Sequence, residues 1–68
     1  MPTPKDLVRF LKRRGFAERR QRGSHLVLQH PTNHYRVVIP MHSRDLPTGL
    51  FRRILQDAGF SLDEFPRG

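Results

Sequence analysis

One pattern, Leu-x-x-x-Gly-Phe, occurs twice in the chain, as Leu11-Lys12-Arg13-Arg14-Gly15-Phe16 and as Leu55-Gln56-Asp57-Ala58-Gly59-Phe60. Each copy reads as the end of a helix: glycine takes the left-handed conformation that other residues avoid, and the phenylalanine folds back on the last turn. The two copies read as one capping solution used twice rather than as a duplicated unit. The first helix is expected from about Pro4 to Arg14, with Thr3 as N-cap, proline at the first helical position and Asp6 in the first turn. Leu7, Phe10 and Leu11 form its apolar stripe, and Lys5, Arg9, Lys12 and Arg13 lie largely opposite. The second starts near Pro47 and puts Leu50, Phe51, Ile54, Leu55 and Ala58 on one face, against Arg52, Arg53, Gln56 and Asp57. Ser61 and Glu64 have capping-box spacing, which predicts a last helical turn through Leu62 and Phe65.

Between the helices lie three runs with strand character, Phe16 to Arg20, His25 to Gln29 and Tyr35 to Ile39. Turns at Gln21 to Ser24 and Pro31 to His34 join them as a meander. Alternation puts Leu26, Leu28, Val37 and Ile39 on the face that two amphipathic helices cover. His25, Val27, Arg36 and one of Arg19 or Arg20 then share the open face. Because Val37 and Val38 are both apolar, a one-residue slip in the last strand would swap the face that carries Arg36. The expected fold is α+β: an α-β-β-β-α two-layer sandwich, a three-stranded antiparallel sheet with two helices on one face.

Residues 1–68 are expected to form a single domain, near the lower size at which one apolar core suffices. With no cysteine, neither disulfides nor thiolate metal ligands can staple it. No apolar run is long enough to span a bilayer, the N-terminus lacks the apolar stretch of a signal peptide, and the basic helices lack aromatic anchors for a lipid surface; the sequence reads as cytoplasmic, with no membrane partner. Thirteen Lys and Arg against six Asp and Glu give a net charge of +7. The excess is mostly arginine spread from Arg9 to Arg53, which favours a polyanion contacted by the folded body rather than by a tail.

The run Arg20-Gln21-Arg22-Gly23-Ser24-His25 delivers a histidine from a basic turn onto a strand. Imidazole exchanges protons near neutral pH, and guanidinium groups hold phosphate oxygens in forked geometry, so the setting suits proton transfer beside a phosphate. The bland alternative is an ordinary Gly-Ser hairpin followed by a half-buried, hydrogen-bonded histidine. His42 lies in the connection from Pro40 to Leu46, followed by Ser43 and Arg44 and close before the second helix, where an anion is favoured. It is either a second acid or base at the same phosphate or a solvated loop residue. His30 and His34 flank Pro31-Thr32-Asn33, a turn and not the helix that gives i and i+4 histidines one face, so no metal site or other cofactor is expected.

Taken together, the helix ending in Gly15-Phe16, the run Arg20 to His25, the segment Val38-Ile39-Pro40-Met41-His42 and the pattern Leu46, Gly49, Arg52, Ile54, Leu55, Ala58, Gly59 resemble the HicA family of bacterial mRNA interferase toxins, also called YcfA-like proteins. The similarity runs from about Lys5 to Phe65. It departs at Leu50, where the family commonly has threonine, and at Ser43, where it has glycine. The resemblance implies a fold like the double-stranded RNA-binding domain, metal-independent endoribonuclease activity, a catalytic histidine at the Gly-Ser-His position, hence His25, and inhibition by a HicB-type antitoxin. Arg20, Arg22, Ser24, Arg36 and His42 are the expected contacts to mRNA. A catalytically silent RNA-binding module is the alternative; against a duplex-RNA module, Pro47-Thr48-Gly49 stands where a lysine cluster is typical. Specific DNA binding by this chain alone is not expected, because the two helices are separated by the sheet and form no helix-turn-helix.

Overall fold

A computed structural model describes residues 2–42 and 44–66. The elements are α1 (Pro4–Arg13), β1 (Ala17–Arg22), β2 (His25–Gln29), β3 (Arg36–Pro40), α2 (Thr48–Asp57) and a closing 3-10 turn (Leu62–Glu64). The strands form one antiparallel sheet in the order β1-β2-β3, so the α-β-β-β-α order and the meander are as expected.

Local chemistry sets the helix boundaries. Thr3 Oγ1 accepts from the Asp6 backbone N–H, and Asp6 accepts from the Thr3 N–H, a closed capping box with proline at the first helical position. At the other end the Gly15 N–H reaches the Lys12 carbonyl and the Phe16 N–H reaches the Leu11 carbonyl, a Schellman arrangement. The same two bonds recur at Gly59 to Gln56 and Phe60 to Leu55. Both copies of the motif are therefore helix stops.

The stops also share a packing role. A Cβ on Gly15 would lie 2.7 Å from His30 Nε2, and one on Gly59 would lie 2.3 Å from the Tyr35 ring. His30 and Tyr35 are the two shoulders of the β2–β3 connection, joined by a bond from the His30 N–H to the Tyr35 carbonyl. One loop thus rests on both helix ends, and glycine is needed there for close approach as well as for its backbone angle.

The core lies between the helices and the face of the sheet carrying Leu26, Leu28, Val37 and Ile39, with Leu7, Leu11, Leu46, Phe51, Ile54 and Leu55 opposite. Val37 is 3% exposed and Val38 43%, so the last strand has the register that keeps Arg36 off the core. Phe10 stacks edge-on against Phe60 at 5.2 Å and lies 5.0 Å from Phe65, and the Arg14 guanidinium sits over the Phe10 and Phe60 rings. Capping-box bonds close the 3-10 turn between Ser61 and Glu64. No helix among the described residues is long and apolar enough to cross a membrane.

Two boundaries differ from expectation in ways that matter for the site. β1 continues through Arg22, leaving only Gly23-Ser24 as the connection where a four-residue turn from Gln21 was expected. Gly23 has φ of 56°, suited to the first central position of such a tight hairpin. β3 starts and ends one residue later than expected, at Arg36 and Pro40, because the His30–Tyr35 bond closes the loop before the ladder begins.

Candidate functional site

The second sheet face has no helix over it. Register lays its residues out in rungs: Arg22, His25 and Pro40 across the first, Arg20, Val27 and Val38 across the second, and Ala17, Gln29 and Arg36 across the third. Partners across neighbouring strands have Cβ atoms about 4.5–5.5 Å apart, so each rung is a set of side-chain neighbours. Arg22 is thus a strand residue directly opposite His25 and not a turn residue preceding it.

A β-bulge between Glu18 and Arg20 breaks the alternation in β1. Alternation alone allowed one of Arg19 or Arg20 on this face; with the extra residue, both line a shallow depression of ≈ 260 Å³ together with Val27, Gln29 and Arg36. Val27 lies outside the apolar core cluster, yet is only 5% exposed. It shares the depression with Arg19, Arg20, Gln29 and Arg36, whose aliphatic stems are suited to cover an apolar neighbour while their polar ends stay in water.

His25 is exposed, and its side chain has no hydrogen-bond partner among the described residues, which is not the half-buried, bonded histidine of the bland alternative. Nor does any carboxylate among the described residues pair with Arg19, Arg20, Arg22 or Arg36; the ion pairs are Lys12–Glu18 and Arg9–Asp6. Glu18, the acid in β1, is held by Lys12 of α1, so it does not neutralise the arginines. Four guanidinium groups therefore keep free donors toward solvent beside an unengaged imidazole.

Around this face, Ser24 is half-buried in the tight turn, and its carbonyl accepts from the Met41 N–H at 2.6 Å. That bond ties the end of β3 to the turn before His25. His42 follows, exposed, two residues beyond the cross-strand partner of His25. The backbone therefore brings His42 to the same end of the sheet. Ser43 lies outside the described residues.

The remaining histidines have structural work. His30 Nδ1 accepts from the backbone N–H groups of Thr32 and Asn33 at 3.1 and 3.3 Å, and its ring meets Phe16 edge-on at 5.4 Å. His34 adopts a positive φ of 64° and donates its N–H to the His30 carbonyl. Among the described residues no three His, Cys, Asp or Glu side chains converge as metal ligands.

Sequence reasoning missed Arg19 as a companion of Arg20, and Gln29. The signal for Gln29 was present, since it is in phase with His25 and Val27. The bulge had none, because Glu18 to Arg22 contains no apolar residue whose burial could fix the phase.

The fold and this face define a class: a small α+β sandwich presenting, on its open sheet surface, a row of arginines and a histidine that have no side-chain partner among the described residues. The family model of HicA toxins of bacterial toxin–antitoxin systems matches residues 4–60, from α1 through α2, and the chain belongs to that family. It is accordingly the toxin of a toxin–antitoxin pair, with an antitoxin as its partner. No curated protein matches the chain.

Proposed function

We propose that the chain is a metal-independent endoribonuclease acting on single-stranded or loosely structured mRNA in the cytoplasm, with His25 as its acid–base group. The observation that carries this reading is the cross-strand placement of His25 opposite Arg22, on a face whose arginines have no carboxylate partners among the described residues. The 2′-oxygen of the nucleotide before the cut attacks phosphorus, and the bond to the 5′-oxygen of the next nucleotide breaks. His25 takes the 2′-hydroxyl proton or donates one to the departing 5′-oxygen, solvent water completing the other transfer, and the product carries a cyclic phosphate. Arg20, Arg22 or Arg36 stabilises the charge that grows on the phosphoryl oxygens, a role for which several aligned donors are suited. Ser24 and His42, at the same end of the sheet, contact the backbone around the cut. A HicB-type antitoxin inhibits by covering this face with acidic or apolar groups.

The test is cleavage of a defined transcript by purified chain in chelator-containing buffer. His25→Ala should keep the fold, judged by circular dichroism, and lose about 10²–10⁴-fold in rate, the usual worth of an acid–base group. Replacing the 2′-hydroxyl at the cleaved position by hydrogen should abolish the cut. Undiminished cleavage by the alanine variant defeats the assignment of His25; binding without cleavage by the unaltered chain leaves a non-catalytic RNA-binding module.

A further inference from the structure

The depression on the open face is displaced from His25 along the sheet. Val27 and Gln29 follow His25 on the same side of β2, so its centre is one to two side-chain steps away, each about 6.8 Å for two residues of strand. That step is comparable with the spacing of neighbouring phosphates in an extended RNA strand. Three of the five lining residues are arginines, Arg19, Arg20 and Arg36, and none is neutralised by a carboxylate among the described residues. The bulge in β1 lets Arg19 and Arg20 share the face where plain alternation would place only one of them, a device that re-aims a side chain at the expense of a ladder bond.

The fourth polar residue differs in kind. Guanidinium groups only donate hydrogen bonds, whereas an amide side chain also accepts. Gln29 Nε2 donates to the His34 carbonyl at 3.4 Å, which leaves Oε1 as the side-chain acceptor on a rim otherwise made of donors. Adenine, cytosine and guanine carry an exocyclic amino group that such an acceptor can bind; uracil offers only its ring N3–H, flanked by two carbonyl oxygens that repel Oε1.

On the reading that this face binds RNA, we infer that the Arg19–Arg20–Arg36 depression is a subsite for the nucleotide flanking the cut: its arginines hold that nucleotide's phosphate, leaving Arg22, opposite His25, for the phosphate that is cut, and Gln29 selects an amino-bearing base over uracil. Arg19 and Gln29 thereby set affinity and sequence preference at a distance from the reacting atoms.

The experiment measures equilibrium binding of the full chain to short 2′-O-methyl RNA, which lacks the attacking hydroxyl and so separates binding from cleavage. One position at a time is varied among the four bases. The unaltered chain should bind adenine, cytosine or guanine about three- to ten-fold more tightly than uracil at one position, the worth of one net hydrogen bond. Gln29→Ala should erase that preference without altering the salt dependence. Arg19→Ala should weaken all sequences alike and lower the slope of log affinity against log salt by about 0.7, the value of one phosphate contact to a single strand. Arg19→Lys should restore the slope.

A preference that survives Gln29→Ala, or a slope unmoved by Arg19→Ala, overturns the subsite. So does a result in which both variants bind RNA normally but lose affinity for the antitoxin, which would assign the depression to the protein partner. If the subsite behaves as stated while His25→Ala still cleaves, the catalytic assignment fails and the subsite stands.

Discussion

Gly15→Ala should destabilise the fold well beyond the cost of its backbone angle. Gly15 has φ of 96° and Gly23 has φ of 56°, both in the left-handed region where a Cβ costs about 1–2 kcal/mol, partly offset by about 0.4–1 kcal/mol from stiffening the unfolded chain. At Gly23 the new methyl meets nothing within 4 Å, so the net cost there should be about 1 kcal/mol or less. At Gly15 it would lie 2.7 Å from His30 Nε2 and 3.2 Å from Cδ2. The imidazole must move, which breaks the bifurcated bond that its single Nδ1 lone pair accepts from the Thr32 and Asn33 N–H groups, worth about 0.5–1.5 kcal/mol. Adding its edge-on contact with Phe16 brings the total to about 2–3 kcal/mol. Urea unfolding followed by circular dichroism reads this directly, because a slope near 1 kcal/mol per molar for so small a chain turns the difference into about 1–2 M between the two variants' midpoints. The double variant Gly15→Ala with His30→Ala closes a thermodynamic cycle: the imidazole bonds are already lost in the first variant, so the second should add little and reveal a coupling of about 1–2 kcal/mol. Equal midpoints for Gly15→Ala and Gly23→Ala, or strict additivity in the cycle, would refute the claim that the β2–β3 loop is seated on the helix end.

Two further perturbations separate the faces of the sheet and the ends of the helices. Leu28→Ala, at a fully buried position, should cost about 2–5 kcal/mol, much of the total of about 3–10 kcal/mol that a chain of 68 residues supports, whereas Val38→Ala on the open face should stay within about 0.5 kcal/mol; equal shifts in thermal midpoint would contradict the assignment of faces. The backbone and side-chain hydrogen bonds from Thr3 hold the Asp6 carboxyl below the ordinary aspartate range, and the Ser61 hydroxyl does the same for Asp63. A carboxyl depressed in the folded state stabilises fully above its unfolded value, and that contribution is lost as pH falls through the lower folded value. Urea midpoints should therefore fall as pH drops below the ordinary aspartate value, and Asp6→Asn should flatten that fall; an unchanged acid limb would show that the capping box is not formed in solution.

Legibility in this chain followed how much apolar contrast each segment carries. The helices were readable to within a residue or so because stripe, cap and Gly-Phe stop all agree, and β2 was readable because Leu26 and Leu28 alternate with residues that share the other face. In β3, Val37 and Val38 were ambiguous on their own. The burial of Ile39 breaks the tie, since whichever valine shares its face must enter the core. β1 is the opposite case. All six of its residues are exposed, so no burial energy fixes its phase, and its register is set by the tight Gly23-Ser24 turn at one end and by Phe16, buried and bonded to the Leu11 carbonyl, at the other. The chain length between those anchors is one residue too many for an even ladder, and the excess emerges as the bulge. For the candidate site the consequence is direct: the residues placed by β2 and β3, His25 and Arg36, were readable by alternation. Those contributed by β1 depended on a mismatch that no pattern in Glu18-Arg19-Arg20-Gln21-Arg22 announces. A strand relieved of core duty is free to carry this density of charge, and that same freedom lets two adjacent arginines line one depression.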